Sequence, residues 1–344
     1  MTSNLLKNGW TEVDQGELRF ILREYIGQPG QYHDRRNNPN IFCLPLAGSS
    51  CQIKLTFSEK NIVGIEPGPA FDATKWARVT EEIETSGPLR IGRDCSFSSF
   101  RVLGSWRGKR SGVQILPPPA DAPRAPVEMA EHPFLLEFPV NASAHWPITN
   151  YRRIRTHRKL TLVLNILLAG RTSLQPRRSR HFWATRPGDT EVKWVQEFFF
   201  ANLGEAVLDD LSPPTAEQLK ELNPEDYYIC VGHDGQGLRV PADLDDSICC
   251  YTRLSPVNRA KFDRASFWMD MASRQWTTSF SASFASLVIA IESLKESGTT
   301  RVTARFRDFI EEYAPGATLE TRRNEMYSLR HCSWKRVNGD GSGL

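Results

Sequence analysis

Apolar side chains recur at helical spacing near the end of the chain. Within Phe262–Trp276, and again within Phe280–Leu294, they fall three or four residues apart, which places them on one face of a helix. Thr278 or Ser279 can cap the start of the second helix, and Gly298 follows its end. The pattern therefore predicts two consecutive amphipathic helices joined by a short turn.

Two more helices are predicted downstream. Residues 302–313 carry apolar side chains at the same spacing and are followed by Pro315 and Gly316, which stop a helix. Thr318 can cap a fourth helix, which carries a cluster of polar side chains. Four short amphipathic helices joined by tight turns are typical of a helical bundle, predicted here over residues 255–344. The polar cluster consists of Arg322, Arg323, Asn324, Arg330 and His331.

The first 145 residues show a different pattern. Polar and apolar side chains alternate at residues 17–23 and 51–57, as they do in a half-buried strand. Residues 97–106 and 132–139 are predicted as further strands, and a proline-rich connector at 116–126 is predicted to be extended. These patterns indicate a β-rich N-terminal region.

Residues 146–254 mix the two patterns. A helix is predicted from Asn150 to Gly170, capped by Asn150 or Thr149, and a short helix is predicted at 216–222. Residues 181–184 and 192–200 are predicted as strands or buried segments. The fold class is therefore α+β, with a β-rich region at 1–145, a mixed α/β region at 146–254 and a helical bundle at 255–344. The predicted core face of the long helix consists of Ile154, Leu160, Leu164, Leu167 and Leu168.

The composition is that of an ordinary globular protein, with 40% hydrophobic and 24% charged residues and a formal net charge of +3. The seven cysteines form no CxxC pair and have no His at zinc-ligand spacing, so we expect free thiols and no metal site. The first residues show no basic start followed by an apolar core, so we expect no export signal, and no apolar run is long enough to span a membrane. We expect a cytoplasmic protein without a cofactor.

Charge distribution is more informative than net charge. No Asp or Glu occurs between Glu137 and Asp189, whereas acidic residues concentrate at 209–210 and 243–246. Arginine interleaved with aromatic residues is how proteins bind phosphates and stack bases, so RNA is a predicted partner of this basic stretch. The alternative is a solvated helix face together with an arginine-rich loop that pairs with the acidic segments. The candidate RNA-binding residues are Arg152, Arg155, Arg158, Lys159, Arg177, Arg178 and Arg180.

The C-terminal segments FDRASFWMDMAS, FASLVIAIESL, RFRDFIEEY and MYSLRHC resemble the HEPN superfamily, in particular the ApeA-like HEPN domains of bacterial proteins. The resemblance covers residues 255–344. It implies a helical bundle that often forms a homodimer. Active members of the superfamily are metal-independent endoribonucleases, common in toxin–antitoxin and antiviral defence systems.

The active motif of that superfamily is an Arg, often followed by a polar residue, with a His a few residues further on. A metal-independent ribonuclease needs a base near the 2′-hydroxyl and cationic donors for the charge that develops on phosphorus. Arg330 matches the motif Arg and His331 the polar position, but no His follows residue 331. The alternative pairing joins Arg323 and Asn324 to His331.

Two hypotheses follow from these residues. The first is an RNA endonuclease of a bacterial defence or stress system, with Arg323, Asn324, Arg330 and His331 as its catalytic residues. The second, motivated by the absent downstream His, is a non-catalytic RNA-binding or dimerisation and sensor module.

Overall fold

A computed structural model describes most of the 344-residue chain. Its residues form two compact units, whose dividing lines fall inside two strands and one helix. The first unit is Met1–Arg93, Phe138–His157 and Glu205–Leu211, and the second is Asp94–Glu137, Arg158–Gly204 and Ser212–Leu344. The described residues are 14–26, 41–45, 52–58, 61–67, 72–85, 87–118, 132–173, 182–184, 194–196, 205–229, 237–276, 278–295 and 302–313.

The first unit begins with helix α1 (Gln15–Ile26), where the sequence analysis predicted a strand. That prediction was wrong because residues 17–23 are too short a window to separate the two periods. Over twelve residues the buried side chains recur at helical spacing, and the Asp14 carboxylate caps the helix by accepting from the N–H groups of Gly16 and Glu17. The buried side chains of α1 are Leu18, Ile21, Leu22 and Ile26.

An antiparallel sheet and a second helix follow α1. The sheet has the order β1 (Ile41–Pro45), β2 (Gln52–Ser58) and β3 (Asn61–Pro67), so the strand predicted at 51–57 is confirmed. Helix α2 (Ala73–Glu84) starts at Asp72, whose carboxylate accepts from the N–H groups of Thr74 and Lys75. Val79 of α2 and Ile65 of β3 complete the core around α1.

The described residues also form a six-stranded sheet. Its order is β11–β4–β7–β6–β5, with β8 paired to β4, and the strand predicted at 132–139 is confirmed as β7. The strand predicted at 97–106 exists only at its two ends, because β4 stops at Ser98 and β5 starts at Trp106. The strands are β4 (Leu89–Ser98), β5 (Trp106–Arg107), β6 (Gln114–Leu116), β7 (His132–Asn141), β8 (Thr172–Ser173) and β11 (Val207–Leu208).

Helix α3 (Trp146–Leu167) begins four residues before the predicted start, and its last turn passes into Gly170 at φ 78°. Ile154, predicted to lie in the core, is exposed. The buried face instead carries a polar side chain every fourth residue, among aliphatic residues such as Val163 and Leu164. We call these five residues the α3 polar row: Thr149, Arg153, His157, Thr161 and Asn165.

Short elements connect α3 to the C-terminal helices. The helix predicted at 216–222 is wrong, because Ser105 binds this segment through backbone and side-chain hydrogen bonds to Thr215, Glu217 and Gln218. Tertiary contacts thereby override local helix propensity. The elements are β9 (Phe182–Ala184), β10 (Trp194–Gln196), β12 (Glu221–Leu222), α4 (Pro224–Ile229), β13 (Val240–Pro241) and α5 (Leu244–Arg253).

Three of the four helices predicted at the C-terminus are confirmed. Helix α6 spans Pro256–Gln275, α7 spans Phe280–Leu294 and α8 spans Val302–Tyr313. Ser279 caps α7 by accepting from the N–H of Ala282, as predicted. The fourth helix, predicted from residue 318, lies outside the described residues.

Helices α6 and α7 pack closely through small and hydroxyl side chains. The Ser283 hydroxyl donates to the Ala272 carbonyl at 2.8 Å, and the Ser286 hydroxyl donates to Oε1 of Gln275 at 2.9 Å.

With these helices and sheets together, the described chain is a mixed α+β fold. None of its described helices combines the length and apolar character that a membrane crossing requires.

Candidate nucleic-acid interface

The predicted site residues divide into two groups. Arg152, Arg155, Arg158 and Lys159 all lie on α3, within the basic stretch. The others lie outside the residues that the structure describes: Arg177, Arg178 and Arg180 of the basic stretch, and Arg323, Asn324, Arg330 and His331 of the C-terminal cluster.

Arg152 is held inside the first unit by two carboxylates. Its Nε lies 2.6 Å from Oε1 of Glu17 on α1, and its Nη1 lies 2.8 Å from Oε1 of Glu82 on α2. Only 11% of the Arg152 side chain is exposed. The guanidinium therefore bridges two helices and presents little surface to a phosphate.

The Glu82 carboxylate also accepts hydrogen bonds from two hydroxyl groups. The Tyr25 phenol and the Ser143 hydroxyl each donate to Oε2 of Glu82 at 2.8 Å. Burial, together with the hydrogen bond to Glu82 and its charge, raises the pKa of Tyr25 to about 12. This cluster is satisfied by its own members, which is the arrangement of a structural network.

Arg155 extends the same network toward the start of α1. Its Nη1 lies 3.0 Å from Oε2 of Glu17, and its Nε lies 3.5 Å from Oδ2 of Asp14. The other carboxylate oxygen of Asp14, Oδ1, accepts from the Tyr151 phenol at 2.6 Å. Burial acts to raise the pKa of Asp14, but the hydrogen bonds from Tyr151 and backbone N–H groups and the charge of Arg155 hold it below its usual value. Arg155 is more exposed than Arg152, at 32% of its side chain.

Arg153 was missed by the sequence analysis. It is buried, its Nη1 donates to the Arg93 carbonyl at 2.9 Å, and its Nε and Nη2 both donate to Oδ1 of Asn150. An Asn three residues earlier on the same helix is the only sequence signal for this contact. No pattern in the sequence indicates the other contact, in which the carbonyl of Arg93 on β4 accepts from Arg153.

Arg158 and Lys159, the next basic residues of α3, belong to the second unit and have a different environment. Lys159 Nζ lies 3.2 Å from Oδ2 of Asp263 on α6, and Oδ1 of Asp263 accepts from the Tyr251 phenol at 2.6 Å. This contact joins the basic end of α3 to the first helix of the predicted bundle. Arg158, beside Lys159, is exposed and is paired with no carboxylate in the described part of the chain.

Four residues define what we call the α3–α6 surface: Arg158, Lys159, Arg264 and Phe267. Arg264 directly follows Asp263 on α6 and is exposed, and Phe267, one turn further along, is exposed as well. Exposed guanidinium groups beside an exposed ring can bind a phosphate and stack a base. This surface, rather than Arg152 and Arg155, therefore leaves guanidinium groups exposed to solvent.

The basic turn after β5 is engaged by an acidic segment. The N–H groups of Arg110 and Ser111 donate to the two carboxylate oxygens of Asp245, at 2.9 and 3.0 Å, and Arg110 is ion-paired with Asp246. Burial acts to raise the pKa of Asp245, but these hydrogen bonds and the Arg110 charge keep it below its usual value. These contacts make the basic turn a structural partner of the acidic segment.

The fully buried carboxylate of Glu137 also has a structural environment. Its Oε1 accepts from the Ser212 hydroxyl at 2.7 Å, and its Oε2 accepts from the Ser212 N–H at 2.9 Å and from Nε2 of Gln114 at 3.1 Å. These donors satisfy the charge and fix the loop that contains Ser212. Glu137 is therefore not a candidate general base.

Comparison with known proteins adds no assignment. No protein-family model, no curated protein and no solved structure matches the chain.

Proposed function

We propose that this chain is an RNA-directed protein of a bacterial defence or stress system and that it cleaves RNA without a metal ion. The observation that carries the proposal is the order of features at the C-terminus. Three of the sequence segments that carry the HEPN resemblance are helical, within α6, α7 and α8, and the Arg- and His-containing cluster follows them in the sequence.

The proposed chemistry uses side chains alone. His331 removes the proton from a ribose 2′-hydroxyl, the 2′-oxygen bonds to phosphorus, and the 5′-oxygen of the next nucleotide leaves and takes up a proton. Arg330 and Arg323 stabilise the charge on the phosphate oxygens, and Asn324 supplies a further donor. A homodimer formed through the bundle would bring two such sets to one phosphate.

The proposed RNA contact outside the cleavage site is the α3–α6 surface. The Lys159–Asp263 ion pair supports this choice, since it joins the basic stretch to the helix that starts the bundle. Arg158 and Arg264 then present exposed guanidinium groups on the two joined helices.

A second candidate is a non-catalytic RNA-binding or dimerisation and sensor module. The absence of any His after residue 331 favours it, because the motif position that normally supplies the base is then unfilled. In this case the bundle and the α3–α6 surface would bind RNA without cleaving it.

One experiment separates the two candidates. The purified protein is incubated with 5′-labelled RNA in EDTA, beside His331→Ala, Arg330→Ala and the control Arg78→Ala, which changes an exposed residue of α2. Products that end in a 2′,3′-cyclic phosphate, formed by the wild type and the control but by neither of the other variants, would support the nuclease. RNA binding without cleavage would select the second candidate in its RNA-binding form. Failure to bind any RNA would contradict the nuclease and leave only the dimerisation and sensor form of the second candidate.

Binding is tested separately from cleavage. Arg158→Ala should weaken RNA binding and lower the slope of log affinity against log salt by about one, since one phosphate contact is lost. An unchanged slope would exclude Arg158 from the interface.

A further inference from the structure

Two large aromatic side chains are exposed at the connection between α6 and α7. Trp276 is the residue at which α6 ends and Phe280 is the first residue of α7, and their side chains are 57% and 62% exposed. The two ring centroids are 5.0 Å apart with an interplanar angle of 63°. Such an exposed aromatic pair is unusual, because burying these rings would be strongly favourable.

The helix ends hold both rings in place. The Ser279 hydroxyl caps α7 immediately before Phe280, and the N–H of Ser279 donates to the Gln275 carbonyl at 2.7 Å, which closes the turn. The two aromatic residues therefore start from a backbone that is already ordered, and their rings contact each other. Ordering this backbone adds no cost when a ligand binds.

The size of the exposed patch decides which class of ligand fits. At 57% and 62% exposure, two rings of this kind present roughly 250 Å² of apolar surface, whereas a stable protein interface buries about 800 Å² on each partner. Thr278 and Ser279, which lie between the two rings in the sequence, are polar and exposed. The two rings by themselves thus fall short of the area that a second copy or a protein partner would bury, and they match the face of one or two nucleobases.

The charge around the rings is compatible with a polyanion. Asp270, the acidic residue of α6 nearest to Trp276 in sequence, is buried, and its Oδ2 lies 2.7 Å from Nε of Arg274. Glu292 on α7 lies twelve residues from Phe280, about 18 Å along the helix axis. No exposed carboxylate of these two helices therefore lies beside the aromatic pair in the described ranges.

We propose that Trp276 and Phe280 form a base-stacking platform for single-stranded RNA, which rests on the proposed function. Each base that stacks on an aromatic ring contributes substantially to affinity without sequence preference, because every base has a π face. The platform lies at the opposite end of α6 from Arg264 and Asp263, by about 18 Å for a separation of twelve residues. A strand of several nucleotides could then contact both the platform and the α3–α6 surface.

The test uses the full chain and a fluorescein-labelled oligouridine of twelve nucleotides, with binding followed by anisotropy. Trp276→Ala should weaken binding roughly tenfold, whereas Trp276→Phe should retain most of it. Trp146→Ala is the matched control, because Trp146 is 56% exposed on α3 and should not contribute. The loss caused by Trp276→Ala should be similar at low and high salt, because stacking releases no counterions.

A second measurement uses the wild-type protein, so its result does not depend on whether a variant folds. RNA that contains 4-thiouridine is cross-linked to the wild type, and the tryptic peptides are identified by mass spectrometry. The peptide from Gln275 to Lys295 contains both rings and should carry the cross-link. Its absence among the cross-linked peptides would overturn the proposal.

The outcomes distinguish this inference from the function on which it rests. Wild-type binding that Trp276→Ala leaves unchanged would overturn the platform and leave the RNA-directed function standing. Absence of RNA binding by the wild type would remove both. A Trp276→Ala protein that loses self-association but keeps its RNA affinity would instead identify the patch as a contact between two copies.

Discussion

Replacement of Arg152 by Ala tests whether the basic stretch is structural at this position. The substitution removes the cation that lies between Glu17 of α1 and Glu82 of α2 and leaves both carboxylates almost fully buried. A buried carboxylate that loses its cationic partner is strongly unfavourable. Within the described part of the chain, Glu17 would keep only Arg155, and Glu82 only the hydroxyl donors of Tyr25 and Ser143. We therefore expect the contacts that join α1 and α2 to α3 to weaken.

The expected magnitude follows from burial. Loss of one partner of a buried ion pair costs about 3 kcal/mol. Arg155→Ala should cost less than about 1 kcal/mol, because its side chain is 32% exposed and water screens the pair. Arg78→Ala, at an exposed position of α2, should change stability by less than about 0.5 kcal/mol.

Native-state hydrogen exchange is the suitable assay, because a chain with two compact units need not unfold in one transition. In the Arg152→Ala protein, the amides of α1 should exchange roughly 100-fold faster, which corresponds to about 3 kcal/mol. The RNA affinity of the folded protein should not change. A variant whose α1 amides exchange at the wild-type rate but whose RNA affinity falls would refute this reasoning and return Arg152 to the nucleic-acid contact.

Three further predictions concern buried or crowded positions. Ser212→Ala should destabilise the protein by about 2 kcal/mol, measured by urea unfolding, because the buried Glu137 carboxylate loses its hydroxyl donor. Gly87→Ala should cost about 3 kcal/mol in the same assay, because the new methyl group would lie 1.8 Å from the Ala142 carbonyl oxygen. Tyr25→Phe should remove a pH dependence: the folded-state pKa of about 12 lies above the unfolded value near 10, so the wild-type contribution is complete below about pH 10 and is lost between about pH 10 and 12.

Matched substitutions test whether each loss of stability comes from the named contact or from a general sensitivity of that region to mutation. Thr215→Ala alters an exposed hydroxyl of the same loop as Ser212 and should have little effect; a cost equal to that of Ser212→Ala would contradict the role of the buried carboxylate. In Gly170→Ala the added Cβ meets no atom within 4 Å, so the free energy of unfolding should fall only by the strain of φ 78°, about 1 kcal/mol. Tyr25→Phe and wild-type stabilities that fall in parallel above pH 10 would show that Tyr25 is not the titrating group.

The sequence was most informative where local signals agreed with each other. For α7, the period of the apolar residues and the Ser279 cap indicate the same start, and the structure has α7 at Phe280–Leu294 as predicted. For α1, a seven-residue window contained an alternation that a twelve-residue window replaces with a helical period. In these two segments, the number of residues over which the apolar period could be followed, rather than the composition, determined whether the predicted element was correct.

The interior of α3 could not be read from its sequence. Ile154 is exposed while Arg153 and His157 are buried, because the burial of a polar side chain depends on partners elsewhere in the chain. Arg153 donates to the carbonyl of Arg93, sixty residues away, and Arg152 reaches Glu17, which is more than one hundred residues away. Charge counts along the sequence identified the basic stretch but not the carboxylates that neutralise part of it.

The α3 polar row limits where this helix can lie along its own axis. Arg153 meets the Arg93 carbonyl, His157 lies over the Phe138 ring, and Thr161 meets the Ser96 hydroxyl at 3.0 Å. An aliphatic face could slide by one turn, about 5.4 Å, and still find apolar neighbours. Here a one-turn slide would separate each polar group from its own partner at about 1–3 kcal/mol apiece, so the helix has a single favourable axial position.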